Sequence, residues 1–166
     1  MKKSLIALAV IGFAGAAMAQ SSVTLYGVAD AGIGKAKSDG DTKVNMKSAS
    51  SMNNGTSRLG VRGVEDLGGG LKAGFNFETG LSLEDGATST AGAGYWGRAA
   101  NLWLGGNWGT FKMGRTLNPT FYGIATYELT GMANYSVVGK TYNFAGGGPR
   151  NSSQFSYKTP NLGGFS

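Results

Sequence analysis

Hydrophobic and polar positions alternate along much of this chain, and the clearest run covers residues 71–78. Leu71, Ala73, Phe75 and Phe77 occupy one side of this run, and polar residues or glycine occupy the other. A period of two residues is typical of a β-strand with one apolar and one polar face. In a soluble sandwich the apolar face would form the core, whereas in a membrane barrel it would face lipid.

Runs of this kind predict six strands joined by connections of unequal length. The strands cover residues 23–34, 56–64, 71–81, 95–107, 110–115 and 150–158, and a seventh would begin at Phe165. The connections are long at 35–55, 82–94 and 117–148 and short at 65–70, 108–109 and 159–164. Outer-membrane barrels have this asymmetry, with short turns at one end and long loops at the other. Aromatic residues lie mostly near the strand ends, where interfacial girdles belong: Tyr26, Tyr95, Trp96, Trp103, Trp108 and Phe111.

The first residues of the chain have the pattern of an export signal. Two lysines precede an apolar stretch that ends in the small-x-small cleavage pattern Ala17-Met18-Ala19. The stretch is shorter than the about 20 residues that a membrane-spanning helix needs. We therefore expect a cleaved signal peptide at 1–19 and a mature domain at 20–166. No later segment is apolar enough to be a transmembrane helix, so any insertion into a membrane must use strands.

Composition narrows the function classes. The chain has 30 glycines, 14% charged residues, no cysteine and no histidine. An exported chain without cysteine suits a fold that is stabilised by a closed ladder of backbone hydrogen bonds. Without histidine, neither a Ser-His pair nor a His-ligated metal can be built from these residues, so we predict no enzyme activity, no metal site and no cofactor. A net charge of +6 fits nucleic acid, anionic lipid or an anionic solute, and the export signal makes nucleic acid the weakest of these.

Six strands are too few for a closed membrane barrel, since the smallest have about eight. An open sheet edge in lipid would leave backbone groups unpaired, at a cost of several kcal/mol each. We therefore expect residues 20–166 to be the N-terminal part of a longer barrel.

Five stretches of the mature chain resemble the general porins of Gram-negative bacteria, specifically the trimeric porins of β-proteobacteria. They read SVTLYGVADAG at 22–32, SRLGVRGVEDLGGGLKA at 57–73, WGTFKMGR at 108–115, RNSSQFSY at 150–157 and TPNLGGFS at 159–166. The resemblance implies a transmembrane antiparallel barrel of about sixteen strands. It implies a homotrimer in the outer membrane, in contact with lipid and lipopolysaccharide. It also implies passive diffusion of small hydrophilic solutes and ions, and a third outer loop, here 117–148, that is folded into the lumen.

Selection in such a pore depends on its width and on the charges at its narrowest point. Alternation places Arg58 and Arg150 on the polar faces of their strands. Arg98 has the parity of Ala100 and the leucines that follow, where an unpaired arginine would cost about 2–4 kcal/mol at the midplane. A bulge between Arg98 and Ala100 would turn Arg98 to the lumen, and the resemblance implies an arginine at the constriction here.

The long segment 117–148 supplies one carboxylate, Glu128, which is the expected partner of one of these arginines. One acid against three arginines leaves a net positive constriction, which favours anions. Glycines at 60, 74 and 106 are expected to leave room for the inward loop. Other charged residues with lumen parity are expected to set a more distant field: Arg62, Lys72, Glu78, Asp30 and Lys112.

Two other classes of protein remain open from the sequence. A structural or adhesive outer-membrane barrel would have a plugged lumen without a charge-lined gap. An outer-membrane barrel enzyme is less favoured, because the residues present do not supply a catalytic histidine.

Overall fold

The computed structural model describes residues 21–38, 41–48, 50, 52–88, 94–141 and 148–164. The predicted signal peptide and the start of the predicted seventh strand lie outside these residues. The strands are β1 (Ser22–Val28), β2 (Gly32–Ser38), β3 (Asp41–Lys47), β4 (Arg58–Gly68), β5 (Leu71–Gly80), β6 (Ala99–Gly106), β7 (Gly109–Leu117) and β8 (Arg150–Lys158), and the helices are α1 (Pro119–Ala125) and α2 (Val137–Thr141). The predicted all-β class is confirmed.

Six strands form one antiparallel sheet in the order β1-β4-β5-β6-β7-β8, and β2 pairs with β3 in a separate hairpin. Neighbours in the large sheet are consecutive along the chain except where the hairpin is inserted between β1 and β4. The short turns lie at one end of this sheet and the long connections at the other, as predicted. Neither helix in the described part of the chain is long and apolar enough to cross a membrane.

The large sheet carries its apolar side chains on the outside. Leu25 is 72% exposed, Leu102 54% and Phe155 70%. In the described part of the chain the buried hydrophobic residues are Ala99 and Ala133, and the other buried side chains, such as Thr79 at 0% exposed, are polar. A sheet with this distribution has no apolar core of its own, and its apolar face fits a hydrocarbon environment instead of water.

One strand prediction and one loop prediction are wrong beyond the C-terminal end of β1. The run at 23–34 is divided, because the chain leaves the large sheet after Val28 and enters the hairpin at Gly32. The predicted loop at 35–55 contains most of that hairpin, whose register runs from Gly32 opposite Lys47 to Ser38 opposite Asp41. The strands of this hairpin pair with each other and need no buried face, so their sequence lacks an apolar period. The Asp39-Gly40 pair between them is a hairpin signal that the polar composition obscured.

The glycines at 60 and 74 do not leave open space on the polar face. A Cβ at Gly60 would overlap the Tyr26 ring, and a Cβ at Gly74 would lie 2.5 Å from the Trp103 indole. These aromatic rings therefore lie over the glycines on the polar face instead of in an interfacial girdle. Gly106 lies on the opposite face, against Trp108.

Replacing Gly114 in β7 by a residue with a side chain is expected to destabilise the fold. Its φ is +113°, and a Cβ there would overlap the carbonyl oxygen of Ala100 in the neighbouring strand. Gly114→Ala should therefore destabilise the full-length barrel by about 1–3 kcal/mol, measured as a lower urea midpoint in detergent or lipid. Gly123→Ala in α1 is the matched control, because no atom lies within 4 Å of its added Cβ and alanine favours a helix. Equal midpoints for the two variants would contradict this prediction.

Candidate functional site

Glu78 is the centre of a charged cluster near the long-loop end of the sheet. Arg98 Nε donates to Glu78 Oε1 at 2.6 Å, and Arg58 Nε lies 3.8 Å from Oε2. The Tyr26 hydroxyl donates to the same Oε2 at 2.9 Å. The Glu78 side chain is 14% exposed, so both carboxylate oxygens are engaged in a largely desolvated position. Sequence alternation had placed Glu78 on this face but only in a distant role.

Strand register explains how these groups meet. Glu78 in β5 lies opposite Gly60 in β4 and Ala99 in β6, and Tyr26 in β1 lies opposite Gly60 on its other side. Because Gly60 has no side chain, the Tyr26 ring passes over it and reaches Glu78 two strands away. Arg58 is two residues before Gly60 and therefore shares its face.

Arg98 reaches the polar face without the predicted bulge. The β5–β6 register runs from Lys72 opposite Gly105 to Glu78 opposite Ala99 without a shift. Arg98 lies at a bend just before β6, where its backbone N–H donates to the carbonyl oxygen of Glu78 at 3.1 Å. Parity with Ala100 and the leucines therefore does not apply to Arg98, because the alternating strand begins after it.

Arg150 and Arg115 hold the backbone of that bend. Arg150 Nε donates to the Arg98 carbonyl at 2.9 Å, and Arg115 Nε donates to the Gly97 carbonyl at 2.6 Å. Arg115 Nη1 also donates to the Ser152 hydroxyl at 2.8 Å. The structure thus places Arg58 and Arg98 against Glu78 and the Arg150 guanidinium on the Arg98 carbonyl, and Arg115 joins them at the bend.

Arg150 does not have the strand parity predicted for it, because β8 contains a bulge. The β7–β8 register shifts between Gly114 opposite Gln154 and Thr116 opposite Asn151, and Ser153 has a φ of 52°. Simple alternation from Gln154 therefore does not extend to Arg150, although its guanidinium still reaches the cluster. A glycine inside a strand pattern, here Gly114, was the signal for this irregularity.

We expected Glu128 to pair with an arginine, but among the described residues it does not. Its carboxylate accepts hydrogen bonds from the Thr130 hydroxyl and N–H, the Met132 N–H and the Ser136 hydroxyl, at 2.7 to 2.9 Å. The hydrogen bond from the Thr130 hydroxyl, with those from Met132 and Ser136, holds the pKa of Glu128 below its usual value. The Glu128 carboxylate is therefore satisfied by donors within its own turn. The acid beside the arginines is Glu78 instead.

The segment between β7 and β8 crosses the long-loop end of the sheet. Its base is closed by the Asn118 N–H, which donates to the Pro149 carbonyl at 2.9 Å. Farther along, the Asn134 N–H donates to the Asn54 carbonyl at 3.1 Å, and the Tyr135 hydroxyl donates to Asn54 Oδ1 at 3.2 Å. Asn54 precedes β4, three strands away from β7. The segment therefore extends from β7 across this end of the sheet to the residues that precede β4.

Asp30 has a structural position instead of the lumen position expected for it. It follows the end of β1, where its carboxylate accepts from the Asn53 amide at 3.0 Å and the Gly55 N–H at 2.7 Å. These two bonds, the first of them the stronger influence, lower the pKa of Asp30. Ser57 is 0% exposed, and its hydroxyl donates to the Asp30 carbonyl. Asp30 therefore connects the hairpin to the start of β4.

The remaining predicted residues keep their polar-face positions. The Arg62 guanidinium carbon lies 5.3 Å from the centre of the Tyr26 ring. Lys72 lies opposite Gly105, and Lys112 lies opposite Trp103. Across the described ranges, no group of three histidine, cysteine or acidic side chains is arranged to hold a metal.

A model of the Gram-negative porin family matches residues 4–166 of the chain. The chain belongs to this family. It is 42% identical to outer membrane porin protein 32 of Delftia acidovorans, over 99% of this chain and 48% of that protein. It is 44% identical to an outer membrane porin protein of Bordetella pertussis, over 71% of this chain and 34% of that protein.

The fold of this porin chain also matches a solved structure. The anion-selective porin from Comamonas acidovorans aligns with a TM-score of 0.72 and 35% identity, over 87% of this chain and 44% of that one. The chain thus spans about half the length of the Delftia and Comamonas porins.

The turn around Glu128 is expected to lose its order as pH falls. A carboxylate with a lowered pKa stabilises the fold above the unfolded-state value, near 4.5, and loses that contribution as pH falls through the lower folded value. In Glu128→Gln an NH2 group replaces one of the two carboxylate oxygens, so the hydrogen bonds that this oxygen accepts are lost. Amides in residues 128–136 should therefore exchange hydrogen faster in the variant than in wild type at pH 7, and the difference in protection factor should vanish in acid.

Glu65→Gln is the matched control for this exchange experiment, because Glu65 lies near the short-turn end of the sheet. Unchanged protection of 128–136 in Glu128→Gln at pH 7 would show that the carboxylate does not order the turn.

Proposed function

We propose that the full-length protein is an outer-membrane porin through which small hydrophilic solutes and ions diffuse passively, with a preference for anions. The chain would reach the outer membrane after cleavage of the signal peptide at 1–19. Family membership, the exposed apolar face and the polar opposite face support a lipid-embedded barrel with an aqueous lumen. Its function would therefore be transport without a catalytic step.

The charge balance around Glu78 carries the proposed preference for anions. Arg58 and Arg98 contact the Glu78 carboxylate, and Arg150 lies beside them, bonded to the Arg98 carbonyl, so three cations meet one acid within the described residues. We propose that these four residues form the constriction, with Glu128 as a weaker contributor from the crossing loop. Arg62, Lys72 and Lys112 would set a more distant positive field.

Desolvation makes this excess charge effective. At about 4 Å, two unit charges interact by roughly 4 kcal/mol at an effective dielectric constant of 20, against roughly 1 kcal/mol in bulk water. A narrow pore whose residues are shielded from water therefore attracts anions more strongly than a wide one with the same charge. The similar solved porin is itself described as anion-selective, which supports the same preference here.

Reversal potentials across a salt gradient test this proposal in planar bilayers. The wild-type protein should favour chloride over potassium, and higher salt should weaken the preference through screening. Arg58→Gln and Arg150→Gln should lower the anion-to-cation permeability ratio by roughly two- to tenfold, equivalent to about 0.4–1.4 kcal/mol per charge. Glu78→Gln should raise the ratio more than Glu128→Gln does.

Lys158→Gln is the control for charge removal, because Lys158 lies at the short-turn end of β8. A cation-selective wild type, or arginine variants with the permeability ratio of the control, would show that the constriction lies elsewhere.

We also propose that the protein assembles as a homotrimer in the outer membrane, in contact with lipid and lipopolysaccharide. Channels of the full-length protein should then insert as triple units, and closure under voltage should occur in three equal steps. Single-channel recording provides the measurement. A refolded barrel without conductance would favour a structural or adhesive role, and single-step closure would indicate a monomer.

A further inference from the structure

A second group of polar-face residues lies between the Glu78 cluster and the short turns. It forms a groove of about 440 Å³. Trp103 lines this groove together with the two cations Arg62 and Lys112 and the two amides Asn76 and Asn101. Register places Asn76 two residues before Glu78 in β5, which corresponds to roughly 7 Å along the strand. The groove adjoins the Glu78 cluster, since the Tyr26 hydroxyl lies 2.9 Å from both Asn76 Oδ1 and Glu78 Oε2, but none of its lining residues is one assigned to the constriction.

Two glycines set the orientation of the indole in this groove. Gly74 lies directly opposite Trp103, and a Cβ there would be 2.5 Å from the benzene ring of the indole. A Cβ at Gly105 would be 3.5 Å from the same ring. The ring thus lies against both glycines of the sheet and lines the groove. This arrangement leaves an aromatic surface on a polar wall.

The cations of the groove have no acidic partner in the described part of the chain. The ion pairs found there involve Lys47, Arg58 and Arg98, not Arg62 or Lys112. Lys112 lies directly opposite Trp103, at the pair distance of about 4.5–5.5 Å between Cβ atoms. Asn76 and Asn101 lie opposite each other; the Asn101 amide is buried and donates to the Arg115 carbonyl, whereas the Asn76 amide nitrogen can donate a further hydrogen bond.

These features together select a chemical class of solute. A carboxylate can be bound by the Lys112 ammonium while a planar ring attached to it stacks on the Trp103 indole. Arg62 adds positive charge at the other side of the groove, and the Asn76 amide nitrogen can donate to a further oxygen. A small inorganic anion would use the charges alone, and a neutral ring would use the indole alone.

We propose that the groove is a binding subsite for aromatic carboxylates, passed before or after the constriction. This proposal rests on the proposed porin function, because the groove must line an aqueous lumen to meet a solute. Such solutes should reside longer in the pore than aliphatic acids of the same charge and size, and their passage should saturate.

Benzoate and cyclohexanecarboxylate are the paired probes, since they have equal charge and similar size but only benzoate is planar and aromatic. Each is added to the full-length protein in a planar bilayer, and reduction of the chloride current gives its apparent affinity. Wild type should bind benzoate roughly three- to tenfold more tightly than cyclohexanecarboxylate. Trp103→Leu should bind the two acids equally well, whereas Trp103→Phe should retain most of the preference for benzoate.

Lys112→Gln should lower the apparent affinity for both acids. Lys72→Gln is the control, because Lys72 has the same charge on the same face but lies outside the groove. Equal affinities of the two acids in wild type would overturn the proposal, as would a loss in Lys72→Gln equal to that in Lys112→Gln. Chloride conductance recorded in the same membranes separates these outcomes from failure of the porin function. If Trp103→Leu does not assemble, Trp103→Phe and Lys112→Gln still decide the result.

Discussion

Backbone hydrogen bonding in a medium without water is the constraint on which this structure depends. In lipid, each N–H and C=O must find its partner within the protein, so an extended chain must pair with neighbouring strands on both sides. Once the ladder is in place, successive side chains point to opposite faces, and the two faces can meet different surroundings. The exposed leucines and the buried threonine and asparagine side chains follow from that division.

The same constraint explains what could be predicted from the sequence. Where a strand has lipid on one face and water on the other, alternation is strong, and the predicted spans 71–81 and 150–158 agree closely with β5 and β8. The hairpin of β2 and β3 pairs outside the large sheet, so no apolar face marked it. Alternation predicted polar-face positions for Arg58 and Arg150, and the family resemblance predicted Arg98, but the contacts that connect the three arginines were not predicted.

Local departures from alternation account for the rest. Arg98 precedes its strand, a bulge at Ser153 shifts the parity of Arg150, and both irregularities depend on contacts between distant parts of the chain. The choice between Glu78 and Glu128 illustrates the same limit. The sequence favours Glu128 as the partner of the arginines and gives Glu78 a more distant role, whereas hydrogen-bond geometry shows Glu128 satisfied by its own turn and Glu78 bound by arginines.

The two arginine contacts to the bend before β6 have a consequence for how such a protein can diversify. Arg115 and Arg150 hold the consecutive carbonyls of Gly97 and Arg98 from strands β7 and β8. The position of the Arg98 charge is therefore set by the barrel wall and not by the connection that leads into it. The connection upstream of Gly97 can therefore change in length and composition without moving the Arg98 guanidinium.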